Sequence, residues 1–138
     1  DVTSLAKFHQ ELPETDVLIL ALALTPETEG IISAQELSLL PSHAWVINVA
    51  RGKHVVTDDL VEALLAESIG GAALDVTDPE PLGADHLLWT FDNCIITPHV
   101  GNTPEMGLPL LAERVTQNVR ARVNGDQLIG LVDTKAGY

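Results

Sequence analysis

Four short runs of apolar residues punctuate the first hundred positions. "DVLILALAL" (16–24) carries no charge after Asp16 and stops at Thr25-Pro26. "AWVINVA" (44–50), "AALDV" (72–76) and "NCIIT" (93–97) follow at intervals of some twenty residues. None shows the strict polar alternation of a strand with one wet face. Near-continuous runs of this length read as strands of a parallel sheet, covered on both sides.

Amphipathic stretches separate the runs. "SAQELSLL" (33–40) has helical period, with Ser33 as N-cap and Glu36 as its capping-box partner. "TDDLVEALLAES" (57–68) places Leu60, Ala63 and Leu64 on one face, with Thr57 expected as N-cap and Gly70-Gly71 as the stop. A long helix is expected from about Pro104 to Val123. There Leu108, Leu111, Val115 and Val119 recur at spacings of three and four, before Asn124-Gly125. The tail "QLIGLVDTKAGY" reads as short and extended.

The order strand, helix, strand, helix, strand, loop, strand, helix predicts an α/β fold, a parallel sheet with helices on both faces. Such sheets put their chemistry beyond the carboxyl ends of the strands. "TPET" (25–28) lies past the first run and Arg51 past the second. Asp75 and "DPEPL" lie past the third, and Pro98-His99 past the fourth. An arginine, several carboxylates and a histidine therefore share one expected rim.

Composition narrows what that rim can serve. Hydrophobic residues make up 46% of the 138, enough for a packed core of one ordinary domain. Seven basic against 20 acidic residues give a net charge of −13, which opposes nucleic-acid binding through a broad basic surface. No apolar run reaches the length of a membrane span, and no signal-peptide pattern opens the chain, so a cytoplasmic setting is expected. Cys94 is the single cysteine, expected as a buried structural thiol. No spacing suggests a metal site.

Each rim residue has a plain reading beside a chemical one. Arg51, one of only four arginines, is a solvated loop residue or a two-pronged carboxylate holder. Glu80, between two prolines, is an exposed turn acid or a carboxylate whose direction is fixed by its neighbours. Asp75 caps the turn after its strand or accepts from a ligand amide. His99 is a satisfied core histidine or a general acid/base. His9, His43, His54 and His86 read as surface residues. Together, arginine, histidine and glutamate suit a substrate bearing both a carboxylate and a carbonyl.

Four stretches, "LALTPETEGII" (22–32), "VINVARGKHVV" (46–56), "GAALDVTDPEPL" (71–82) and "LWTFDNCIITPHVGNTPE" (88–105), resemble the D-isomer-specific 2-hydroxyacid dehydrogenases in order and spacing. The closing "VDTKAGY" is similar to the glyoxylate/hydroxypyruvate reductase-like branch. The resemblance implies that Arg51 binds the substrate carboxylate, that His99 is the acid/base and that Glu80 is its partner. It implies a cofactor, NAD or NADP, facing Asp75 and the backbone of Asn48, Val49 and Ala50. Leu24, Thr25 and Thr28 would line its cleft, and Gly101 would allow close approach. Two details depart from the family pattern. Ala23 stands where proline is common, and the loop "PHVGNTPE" is about one residue shorter than usual.

The glycine fingerprint G-x-G-x-x-G occurs nowhere in the chain. Residues 1–103 are accordingly expected to form the second half of a Rossmann-type dinucleotide-binding domain, its glycine-loop half absent. Residues 104–138 would be a C-terminal helix and tail returning toward an absent substrate domain. Three expectations follow. The chain alone binds dinucleotide weakly and is inactive. The 16–22 strand leaves a bare edge that pairs with a second copy, as in a homodimer, or with the remainder of a longer chain. The function is reduction of a small 2-keto acid such as glyoxylate or hydroxypyruvate. The alternative is a non-catalytic, dehydrogenase-like association module.

Overall fold

The computed structural model describes residues 7–135, in two compact units, one ending at His99 and the other starting at Val100. In the first unit the apolar runs form four parallel strands in sequential order: β1 (Val17–Leu20), β2 (Trp45–Asn48), β3 (Gly71–Leu74) and β4 (Cys94–Ile96). The ladders align Leu20 with Asn48 and Asn48 with Leu74, and β4 ends opposite at Ile96. All four carboxyl ends therefore reach one edge of the sheet, as the run pattern predicts.

Each strand is shorter than its apolar run, and after β1 and β2 side chains take over the backbone groups. After β2, Asn48 accepts the Ala50 amide proton at Oδ1 (3.0 Å) and donates through Nδ2 to the Arg51 carbonyl (2.9 Å). The ladder ends there. After β1, the Thr28 hydroxyl donates to the Ala23 carbonyl (2.8 Å) and accepts from the Thr25 amide (2.8 Å), closing the turn through "TPET".

A four-residue helix α1 (Phe8–Glu11) precedes the sheet, and α2 (Ala34–Leu39) and α3 (Thr57–Leu65) cross over between its strands. Right-handed crossovers running in one direction along the sheet set α2 and α3 on the same face, where they pack together. That face is the core: Leu20, Val46, Ala72 and Leu74 from the strands against Leu37, Leu60 and Leu64 from the helices. At the alternate positions Val17, Ile19 and Ile95 are exposed and Trp45 and Ile47 half-buried. Within this unit the helical cover lies on one face.

The Ser33 capping box forms as expected. Glu36 accepts from the Ser33 amide (3.0 Å) and hydroxyl (2.6 Å). Two terminus expectations for α3 change. The N-cap is Val56, and the Thr57 hydroxyl donates instead to the Asp78 carbonyl (2.6 Å). Nor do the glycines stop the helix. Glu67 takes the left-handed conformation (φ 50°), with Ser68 N–H bonded to the Ala63 carbonyl and Glu67 N–H to that of Leu64. This is a Schellman ending with glutamate at the position glycine usually holds. Gly70 and Gly71 serve close packing: a Cβ would lie 2.4 Å from the His43 carbonyl oxygen in one and 2.5 Å from that of Asn93 in the other.

The second unit is α4 (Pro104–Asn124) and its tail. Gly125, left-handed at φ 78°, ends the helix where Asn124-Gly125 predicts. The described tail folds back along α4, where the Asn118 side chain clasps Ile129 at both its amide (2.8 Å) and its carbonyl (3.0 Å). Leu108, Leu111, Val115 and Val119 are exposed. The last residues of "VDTKAGY" lie outside those described. Among the described residues no helix is long and apolar enough to cross a membrane.

Candidate active site

Beyond β3 the chain makes the loop of Asp75 and Glu80; beyond β4 it makes a corner at Thr97-Pro98-His99. The two are stitched together. Asp75 N–H donates to the Asn48 carbonyl and Thr97 N–H to that of Leu74, both at 2.9 Å. The Thr97 hydroxyl donates to Asp75 Oδ1 (2.6 Å). Asp75 is buried and thus locks the ends of β3 and β4. The Thr97 bond to its side chain comes from the residue past the neighbouring strand, and not from the turn that follows its own strand.

His99 occupies the left-handed region at φ 56°, uncommon for a residue with a side chain, with its amide bonded to the Thr97 carbonyl (3.0 Å). The bend aims the imidazole at Glu80, and Nδ1 lies 2.7 Å from Glu80 Oε1. A carboxylate only accepts, so Nδ1 carries the proton and Nε2 is left for other partners. The two side chains retain 48% and 43% of their exposure, so the pair is open to an incoming molecule. Asp75, Thr77, Glu80, Trp89, Thr97 and His99 line a cleft of ≈ 210 Å³. The Glu80 loop is anchored by the Thr57 bond to Asp78 and by the Thr77 hydroxyl donating to the Pro79 carbonyl (2.9 Å).

Arg51 stands three residues past β2, exposed, with Nη1 folded onto the Ala50 carbonyl (2.7 Å). It does not line that cleft, but its loop runs beside the Glu80 loop. A Cβ on Gly52 would fall 2.0 Å from the Thr77 carbonyl oxygen, so only glycine permits this approach. Histidine and glutamate are thus in contact. The arginine shares their rim with its side chain turned back.

The expected cofactor-side residues divide. Leu24 and Val49 are exposed apolar side chains past neighbouring strands. Asn48 and Ala50 are buried, Asn48 with its amide committed to its own loop, and the hydroxyls of Thr25 and Thr28 are bound to each other's turn. Gly101 belongs to the second unit.

The sequence reading missed His54. It is fully buried, against the surface location expected for it. Its Nδ1 lies 3.2 Å from the Arg51 amide nitrogen, and Nε2 lies 3.2 Å from the Ala23 carbonyl oxygen. The available signal was its place three residues after Arg51, the offset at which an N3 side chain reaches back to an N-cap amide. His9 and His43 are exposed and His86 half-buried. Cys94 is half-buried, and burial pushes its thiol up to about 11, so it is inert at neutral pH.

Comparison with known proteins places this rim in context. Residues 1–101 match the family described as "D-isomer specific 2-hydroxyacid dehydrogenase, NAD binding domain". The chain is 46% identical over 125 residues to an uncharacterised protein from the proB 3′ region of Corynebacterium melassecola, covering 91% of this chain and 41% of that protein. It is 37% identical over 143 residues to glyoxylate/hydroxypyruvate reductase A of Yersinia enterocolitica, covering 99% and 44%. The crystal structure of an NADPH-dependent glyoxylate/hydroxypyruvate reductase from Sinorhizobium meliloti, in complex with NADP and sulfate, superposes with a TM-score of 0.90 at 33% identity. That match covers 99% of this chain and 44% of the other. The chain spans less than half the length of the curated relatives it matches.

Proposed function

The chain belongs to the D-isomer specific 2-hydroxyacid dehydrogenases through their NAD-binding domain, and from that premise we propose that it carries the acid/base side of an NAD(P)-dependent 2-keto acid reductase. The observation that carries the reading is the bond between His99 Nδ1 and Glu80 Oε1, at the carboxyl rim and in an open cleft. Glyoxylate and hydroxypyruvate are the substrates that fit best. Each offers a carboxylate for a guanidinium and an adjacent carbonyl for an acid, and the Yersinia and Sinorhizobium relatives are named for them.

In this reading Arg51 leaves the Ala50 carbonyl to take the substrate carboxylate with two parallel hydrogen bonds. The nicotinamide, when bound, supplies the hydride to the keto carbon. His99 starts protonated on both nitrogens, its charge stabilised by Glu80 at Nδ1, and gives the Nε2 proton to the carbonyl oxygen as it becomes a hydroxyl, ending neutral with Nδ1–H still on Glu80. Leu24 and Val49 rest against the nicotinamide side of the cofactor. Thr25, Thr28, Asn48 and Ala50 shape the loops beneath it, and Asp75 fixes the spacing of β3 and β4. Gly101 is kept as a close-approach position.

The partner of the β1 edge would be a second copy or a further length of the same polypeptide. The cytoplasm is the expected compartment, in keeping with the unpaired thiol of Cys94.

The test is steady-state reduction of glyoxylate and hydroxypyruvate by the polypeptide its gene encodes, beside its Arg51→Ala and His99→Ala forms. Loss of the acid/base should lower kcat by about 10²–10⁴-fold, and loss of Arg51 should raise KM for the keto acid. Unchanged kinetics in both variants would leave the association-module reading standing.

A further inference from the structure

The arginine loop is held by a residue outside the His99–Glu80 pair. We propose that His54 is the positioning residue for Arg51: its buried ring accepts the Arg51 amide proton at Nδ1 and donates its own Nε2 proton to the Ala23 carbonyl, joining the arginine's loop to the loop after β1. The inference rests on Arg51 being the carboxylate-binding residue proposed above.

Donor and acceptor counting fixes the ring's state. The Arg51 amide can only donate, and Nδ1, 3.2 Å away, is its acceptor, so Nδ1 is unprotonated and the hydrogen sits on Nε2, 3.2 Å from the Ala23 carbonyl. The Arg51 carbonyl, 3.0 Å from Nδ1, already receives Asn48 Nδ2 at 2.9 Å. The Arg51 amide has Nδ1 as its acceptor at 3.2 Å. A neutral ring protonated at Nε2 satisfies every one of these groups. The opposite tautomer would take the acceptor from the Arg51 amide and set a lone pair against the Ala23 carbonyl, which would keep only the Thr28 hydroxyl.

The backbone repeats the link. Gly30 N–H donates to the Lys53 carbonyl (2.8 Å), Ile32 N–H to that of His54 (2.9 Å) and Val56 N–H to that of Ile32 (2.9 Å). The loops after β1 and β2 are thereby one rigid piece, with the His54 ring at its centre. Gly52 presses the same piece against the Thr77 carbonyl, beside the Glu80 loop. Arg51 therefore has its amide, its carbonyl and its following residue all fixed, and only its side chain is free to swing toward a substrate.

A leucine at position 54 would fill the space and strand the Arg51 amide. In the polypeptide its gene encodes, His54→Leu should raise KM for glyoxylate about tenfold, the scale of one unmade buried hydrogen bond, with kcat changed less. His54→Gln, whose amide offers an acceptor and a donor, should recover most of the loss. Adding His54→Leu to Arg51→Ala should raise KM no further, because His54 acts through Arg51. Wild-type KM in a folded His54→Leu protein, or an additive double variant, overturns the proposal. If Arg51→Ala itself leaves KM unchanged, it is the reading of the site that fails. Nitrogen-15 NMR of the wild-type imidazoles decides even if His54→Leu does not fold. The expected signature is Nε2–H with unprotonated Nδ1, and the reverse tautomer refutes the assignment.

Discussion

Two histidine–glutamate pairs in this protein have the same 2.7 Å separation and different physical settings. Glu36, 7% exposed, accepts from Ser33 and contacts His9. Burial alone would push its carboxyl up. The Ser33 side chain, His9 and the backbone amides outweigh that and hold it near 2, below the ordinary 4.5. A carboxyl depressed in the folded state adds stability above its unfolded pKa and loses it as pH falls through the folded one. The expected contribution is about 3 kcal/mol at neutral pH, lost between about pH 4.5 and 2. Urea titrations of wild type and Glu36→Gln should converge across that window; a constant difference would disprove the assignment. The His99–Glu80 pair is half exposed, and pairs of that kind contribute only about 0–1 kcal/mol. Its geometry at a left-handed corner is thus poorly explained by stability and well explained by chemistry. The residues were legible in "PEP" and "TPHV" as candidates. Their partnership followed from the family resemblance, and not from spacing, because 19 positions separate them and a sheet ladder brings them together. His54 was misread for a related reason: a histidine in a loop looks solvated until the second loop that covers it is known.

At the scale of elements, strand positions followed from apolar runs, and their ends did not. β1 stops four residues before its run does because Thr28 captures the Ala23 carbonyl. The end of α3 shows the same limit. A glycine pair suggested a stop, and the stop is Glu67, forced left-handed by the Schellman bonds of Ser68 and of its own amide. Left-handed backbone costs a residue with a Cβ about 1–2 kcal/mol, partly offset by glycine's greater loss of freedom. Glu67→Gly should therefore stabilise the protein by about 0.5–1 kcal/mol, seen as a melting temperature a few degrees higher. A lower one would show that the carboxylate has a role there. The helical period found α4 within a residue of its end, yet its apolar positions are exposed. Periodicity reports which face of a helix seeks cover and is silent about what covers it.

At the scale of the molecule, the sheet of the first unit has the helices of that unit, α2 and α3, on one face and an edge at β1, where Val17 and Ile19 are 50% and 59% exposed. Apolar edges and faces of this kind promote association. The chain by itself is expected to self-associate with rising concentration, and Ile19→Lys should reduce this at little cost to its melting temperature. Light scattering that finds the unmodified chain monomeric at every concentration would remove that expectation. The sequence by itself determined the strand order, the parallel sense, the shared rim and the family. Those follow from local periodicity and from motifs contiguous along the chain. Only the tertiary structure decided which atoms join Glu80 to His99, that Asp75 locks two strands and that His54 is buried between the loops after β1 and β2. Each of these depends on groups distant in sequence satisfying one another's hydrogen bonds, and a buried donor or acceptor can be counted only when its neighbours are in place.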